Sequence, residues 1–152
     1  MALAEQIRSD MKAALLGGNR FEGDTLRNLE AAILNEKVAL NKREDGLADE
    51  EIEKVIAREV KKRRESITLY QQNNRPELAE DEAKEIAVLE KYLPEMMSDE
   101  EIHAKVQTVI AEMGEVSMQQ MGQVIGAVKS QLGNAADGGT IARIVKEELN
   151  NI

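Results

Sequence analysis

The chain of 152 residues has no cysteine, no tryptophan, one phenylalanine, two tyrosines and one histidine. Without cysteine there is no disulfide, thiol nucleophile or thiolate metal site, and a reducing compartment is the default. With Phe21, Tyr70 and Tyr92 as its aromatics, the core has to be built from Leu, Ile, Val, Ala and Met, which suits interlocking helices better than a sheet. No run approaches the ~18 apolar residues of a membrane span, and Met-Ala-Leu-Ala-Glu at the start places a charge at Glu5 where a secretory signal needs an apolar stretch. The expectation is a soluble cytoplasmic protein. Basic charge is also in short supply: 20 Lys and Arg against 29 Asp and Glu give a formal net charge of −9. Such a chain is no natural non-specific polyanion binder, although a local basic face remains compatible with it.

What is present is helical period and helix punctuation. Leu3, Ile7, Met11, Ala14 and Leu15 repeat at helical spacing and Gly17-Gly18-Asn19 ends that helix. Asp24 is the expected cap of a second helix with Leu26, Leu29, Ile33 and Leu40 inward, running to about Arg43. Asp49 is the expected cap of a third and longest helix, to about Gln72, because the carboxylates of its first turn complement the helix dipole. Pro76 suits the first position of a fourth, and Pro94 stops it near Leu93. Ser98 and Glu101 form a capping box for a fifth helix, closed by Gly114; Ser117 and Gln120 form another for a sixth, with Met118, Met121, Ile125, Val128 and Leu132 inward. Gly122 and Gly126 leave a strip on that sixth helix where a neighbouring helix is expected to approach. Asp137 or Thr140 caps the seventh. The fold class is therefore all-α and in two parts: about four helices over residues 1–93, including a long antiparallel hairpin, then three over 94–152. Met96 or Met97 is expected to dock the second part on the first.

The three-residue link Asn73–Arg75 folds helices three and four into that hairpin, so residues equidistant from Asn74 face each other. Arg63 then meets Glu85, with Glu82 close by, where both apolar lines are interrupted by charge. A catalytic acid held by arginine and an ion pair fixing helix register are both readings of this cluster; the permanent charge of arginine favours the second. Arg58, Lys61, Lys62 and Arg64 form the one basic run. It is a nucleic-acid face or, with glutamates at 53, 59 and 65 among the cations, a solvated ion-paired helix. His103, alone in the first turns of helix five, reads as a solvated residue. The carboxylate runs lack the looped spacing of a calcium site, so no metal is expected. The Gly-rich stretch Gly133–Gly139 follows a helix where a phosphate loop follows a strand; it is an anion site at a helix start or a plain turn.

Taken in order, Glu59-Val60-Lys61-Lys62-Arg63-Arg64-Glu65-Ser66-Ile67, Arg75-Pro76-Glu77-Leu78-Ala79, Tyr92-Leu93-Pro94, Met121-Gly122-Gln123-Val124-Ile125-Gly126 and Ala136-Asp137-Gly138 resemble the YqeY-like family over nearly the whole chain. Members of that family look like free-standing relatives of the tail of GatB, a subunit of the glutamine-dependent aminoacyl-tRNA amidotransferase, a carbon–nitrogen ligase. The resemblance implies a three-helix GatB/YqeY-type domain at 94–152 and a link to tRNA or to an amidotransferase-like protein. It supplies no catalytic residue and no cofactor. The residues it places at such a contact are Lys129, Asn134, Asp137, Gly138, Arg143 and Lys146, with Arg58, Lys61, Lys62 and Arg64 as a second face. This sequence departs from the family where Lys or Arg usually precedes Ala-Asp-Gly: it reads Leu132-Gly133-Asn134-Ala135 there. From Pro94 onward, four Lys and Arg stand against nine Asp and Glu, a net −5. The resulting expectation is a non-catalytic accessory module with weak tRNA binding; a protein-interaction adaptor that kept the fold and lost the RNA contacts is the alternative.

Overall fold

The structure, a computed structural model, describes residues 2–152 and contains no strand among them. By internal contact the chain divides into two compact units, Met1–Leu93 and Pro94–Ile152. The first holds α1 (Leu3–Leu16), α2 (Arg20–Ala39), α3 (Asp49–Gln72) and α4 (Pro76–Glu90); the second holds α5 (Asp99–Met113), α6 (Met121–Leu132) and α7 (Gly138–Asn150).

In the first unit α1 and α2 form one antiparallel hairpin and α3 and α4 another, and their facing sides share a core of Ile7, Leu26, Leu29, Ile52, Ile56 and Leu89 with their neighbours. The α1–α2 contact is tight enough that a Cβ on Gly23 would come within 2.5 Å of Leu15 Cδ2. The hairpin starts earlier than expected. Asn19, not Asp24, caps α2: its Oδ1 accepts from Glu22 N–H at 3.3 Å while its Nδ2 donates to Glu22 Oε2 at 2.8 Å, so cap and third helical residue satisfy each other. Asp24 lies inside the helix beside Arg20 and Arg27. Nor does α2 reach Arg43. Asn41 turns into the left-handed region (φ +56°), and Lys42 N–H closes on Lys37 C=O at 2.8 Å, so Leu40 is left half exposed.

At the start of α3 the N-cap position is Ala48, which has no side-chain acceptor; Glu51 accepts the Ala48 N–H at 2.9 Å and pairs with Lys42. Asp49 is already the first helical residue. Its Oδ1 accepts the free N–H of Leu3 at 3.0 Å, so it caps α1 across the fold instead of its own helix. Burial along α3 ends at Val60, and the outer half of the α3–α4 hairpin packs chiefly on itself. Tyr92, just beyond α4, donates its hydroxyl to Asp10 Oδ2 on α1 at 2.6 Å; burial first, and then this bond, push the phenol well above its ordinary range.

The second unit is a three-helix cluster around Ile102, Val106, Val124, Val128, Ile141 and Ile144. Ser98 and Glu101 form the expected reciprocal cap, each bond 3.2 Å, and Asp137 caps α7 by accepting Thr140 N–H at 3.0 Å. The Ser117–Gln120 box is also present, but its first turn, Met118–Gln120, is a 3₁₀ turn. On α6 Val124 and Val128 are buried, Met121, Ile125 and Leu132 pack partly buried against the same core, and Met118, in the 3₁₀ turn, stays exposed. Gly122 and Gly126 face open space, with nothing within 4 Å of where a Cβ would stand, and the helix expected to approach them is absent among the described residues. Met97 packs into this second core and its N–H donates to Ala135 C=O at 2.8 Å; Met96 is exposed.

Two outcomes follow from these caps and breaks. Asn19→Ala should cost about 1 kcal/mol of unfolding free energy in a denaturant titration while Asp24→Ala changes it by no more than a few tenths; equal effects would return the cap to Asp24. Brief proteolysis should cut first between Leu93 and Ser98 or at Asn41–Ala48, read by mass spectrometry, and a first cut inside α3 would contradict this.

Candidate functional site

Four charged groups meet on the α3–α4 hairpin. Arg63 Nε lies 2.9 Å from Glu85 Oε2 across the hairpin, and its Nη1 lies 3.1 Å from both the carbonyl and Oε2 of Glu59 one turn back on α3. The side chains are 14% (Arg63), 26% (Glu85) and 19% (Glu59) exposed. Glu82 lies next to this network without being bonded into it by any of these contacts. Its carboxyl is pushed above the ordinary range, first by desolvation and then by the charge of Glu85, against a smaller opposing pull from Arg63. Chemically the cluster is an arginine held by two acceptors between two helices. Arg63 bonds Glu85 on α4 and Glu59 on its own helix, so the cluster ties the two helices together, and Glu59 also borders a groove on the α2 side.

The basic run on α3 is largely occupied by partners within the chain. Arg58 reaches Glu36 on α2 at 2.8 Å, Arg64 reaches Glu90 on α4 at 2.8 Å, and Lys62 lies 3.7 Å from Glu59. Lys61 is exposed and has no ion pair among the described residues. A shallow groove between α2 and α3, of about 360 Å³, runs along Ala32, Ala39, Val55, Arg58 and Lys62. The cations of the run thus tie helices together more than they build a field.

In the second unit, the structure brings Lys129, Gly138 and Asp137 to one corner and takes Arg143 elsewhere. Lys129 lies across the start of α7, its Nζ 3.2 Å from where a Cβ on Gly138 would stand. The helix start that might have received an anion is filled by Asp137, whose Oδ2 accepts from both Thr140 N–H (3.0 Å) and Thr140 Oγ1 (3.3 Å). Asn134 sits half-buried in the 3₁₀ turn Gly133–Ala135 just before it. Arg143, on the flank toward α5, donates to Asp99 Oδ2 at 2.7 Å and to Glu147 Oε1 at 3.2 Å, and these bonds raise its pKa further, the one to Asp99 most. Lys146 is exposed with no ion pair among the described residues. Two features of this unit had no signal in the sequence: the Arg143–Asp99 bridge, which joins residues 44 apart, and the pairing of His103 Nε2 with Glu148 Oε1. His103, Asp99, Glu100, Arg143 and Glu147 line an open cup of about 280 Å³ over Ile144. No group of three or more acidic or histidine side chains that could hold a metal ion occurs among the described residues, and no described helix is long and apolar enough to cross a membrane.

Comparison with known proteins gives the following. The profile of the family described as "Yqey-like protein" matches residues 4–149. "Altered inheritance of mitochondria protein 41, mitochondrial" of Clavispora lusitaniae is 30% identical over 99% of this chain and 87% of its own length. Proteins of the same name from Kluyveromyces lactis and Lachancea thermotolerans are each 29% identical, over 80% and 70% of this chain and 66% and 57% of theirs, so the chain spans less than two thirds of these two. The cytoplasmic expectation is corrected by these names, which are those of mitochondrial proteins. It rested on the lack of cysteine and on the charge at Glu5, and neither feature separates one reducing compartment from another.

The Arg63 cluster generates a paired expectation. Glu85→Ala strands part of a half-buried guanidinium and should cost more than the ~1 kcal/mol ceiling of an exposed pair. Glu82→Gln should do the opposite at neutral pH. The folded state holds the Glu82 proton more tightly than the unfolded chain does, so the ionised carboxylate opposes folding above its raised pKa and ceases to do so once protonated. The gain from Gln should therefore be present at pH 7 and vanish as pH falls through the carboxylate range. Urea titrations at several pH values measure both, and a destabilising Glu82→Gln would mean that Glu82 is a working partner of Arg63.

Proposed function

The chain belongs to the YqeY-like family, and on that premise we propose that it is a non-catalytic accessory module that acts by binding, with an amidotransferase-like protein as its first partner and tRNA as a weak second contact. The observation that carries this reading is the internal engagement of the candidate cations: Arg143 is held by Asp99 and Glu147, Arg58 by Glu36 and Arg64 by Glu90. The helix start beside Gly138, a natural anion seat, is taken by Asp137. Lys105, Lys129 and Lys146 remain for phosphate on a unit of net −5. A protein surface asks for shape and mixed charge, which this chain has; a polyanion asks for a dense positive field.

The amidotransferase context comes from the resemblance to the GatB tail. The mitochondrial names of the relatives support a mitochondrial setting for the partner.

Titration of the full chain with tRNA at several salt concentrations tests the order of the two partners. Binding should be detectable at low ionic strength only, with a slope of log affinity against log salt corresponding to about two or three neutralised phosphates. Lys129→Ala and Lys146→Ala should each reduce that slope by about one, while Asp99→Ala, by releasing Arg143, should strengthen binding. Lys61→Ala probes the other face: if it alone abolishes binding, the contact lies on α3. Tight binding at physiological salt would overturn the protein-first reading, and no binding at any salt would remove tRNA from it.

A further inference from the structure

α2 carries a second apolar line that nothing in its unit covers. Ala31, Leu34 and Val38 stand at i, i+3 and i+7 on the side opposite Leu26, Leu29 and Ile33, within about 60° of one another at 100° per residue. Leu34 is 48% and Val38 54% exposed, and Ala31 is exposed as well. Single exposed apolar residues need no explanation, but three in register on one helix face make a seam of the kind that pairs helices.

The flanks of the seam say what pairs with it. On one flank Glu30 and Lys37 stand a heptad apart with opposite charge; on the other Asn28 and Asn35 are neutral. In a parallel pair of such helices each flank meets the other's opposite flank, which would set both charges against asparagine. In an antiparallel pair each flank meets itself, and residues equally far to either side of the two-fold axis face each other. With the axis at Leu34, Glu30 comes within one residue of facing Lys37 of the partner subunit, and Lys37 faces Glu30 of the partner subunit. Arg8 Nε already holds Glu30 Oε1 at 3.2 Å, so that carboxylate is fixed on this flank, and Lys37 has no ion pair among the described residues. We propose that this face of α2 is the interface of an antiparallel two-fold homodimer centred on Leu34. The occupant of the seam is thus a second copy of this chain, selected by self-complementary charge.

Because the chain has no cysteine, Leu34→Cys introduces a single thiol on the axis, where two copies bring it within disulfide reach. Leu34→Cys in the full chain should form a covalent dimer under mild oxidation, while Leu69→Cys, equally exposed on α3, should not. Light scattering of the unmodified chain should give a mass rising with concentration toward twice 16.9 kDa. Leu34→Glu or Val38→Glu should return it to the monomer mass with an unchanged helical circular dichroism spectrum, both sites being exposed, and with a melt matching that of the unmodified chain at dilutions where it is monomeric. Lys37→Glu should weaken the dimer about tenfold, and Glu30→Lys together with Lys37→Glu should restore it. A monomer throughout the series with no Leu34→Cys product overturns the proposal, and so does a dimer indifferent to Leu34→Glu. Failure of the double reversal to restore association overturns the antiparallel register.

Discussion

Every helix end leaves carbonyls without intrahelical partners, and in the first unit the way three such ends are closed governs the rest of the fold. Gly18 (φ +82°), Asn41 (φ +56°) and Asn74 (φ +57°) each turn left-handed one residue past the cap. The next N–H then closes back on the carbonyl five residues earlier: Asn19 to Ala14, Lys42 to Lys37 and Arg75 to Tyr70, at 2.7–2.9 Å. Two of these stops reverse the chain within a few residues and so dictate the two antiparallel hairpins. Once the hairpins are set, aliphatic faces built without Trp and with few aromatics can interlock, and Gly23 can lie against Leu15. The stops use two different side chains for one purpose. Glycine has no Cβ to oppose the left-handed region, and asparagine is the residue with a Cβ that tolerates it best.

Within the α3–α4 hairpin a charged layer stands where an apolar one would otherwise be. Arg63, Glu85 and Glu59 leave no buried side-chain polar atom without a hydrogen-bond partner among the described residues, which is the condition for such a layer not to be a liability. Its net contribution is small beside that of an apolar replacement, since desolvation of the ions offsets most of their attraction. What it supplies is register in one direction: sliding α4 by a turn would bring Arg63 against Val88 or Leu89, whereas a slide the other way would still offer it Glu82 or Asp81. Glu82, raised by desolvation and by Glu85, is the residue for which that layer has no matching cation.

Helix starts with a local signature were legible in the sequence. Pro76 opens α4, Ser98 with Glu101 opens α5, and the hairpin arithmetic about Asn74 sets Arg63 opposite Glu85, where the structure has them bonded. Asn19 was legible too: an asparagine followed three residues later by glutamate is the reciprocal cap that forms, and Asp24 competed only because it stands nearer the apolar line. Other features depend on distance. Asp49 turns from its own helix to Leu3 because folding brings an uncapped N–H beside it, and Tyr92 finds Asp10 82 residues away. The inward face of α6 was largely legible, with Val128 buried and Met121, Ile125 and Leu132 packed on the core; Met118 falls outside it because it lies in the 3₁₀ turn before the helix, and Val124 was missed. The candidate contact residues were named from a resemblance, and a list of residues cannot say that Arg143 is already held by Asp99.

That last point bears on how much internal pairing excludes. Exposed pairs such as Arg64–Glu90 and Arg143–Asp99 are screened by water and contribute little, so a phosphate at low salt could draw either arginine away at modest cost. Engagement alone therefore does not bar a polyanion. The decisive quantity is the field that remains after the exchange, because each arginine turned outward leaves a carboxylate behind it. On a unit of net −5 the freed Asp99 and Glu147 would stand within a few ångströms of the incoming phosphate and subtract from the counterion release that drives such binding. For a protein partner the same exchange is neutral or favourable, since it can bring its own cation for the released carboxylate. The charge pattern of this chain therefore favours partners carrying both signs, and it does so through the residues left behind as much as through those that reach out.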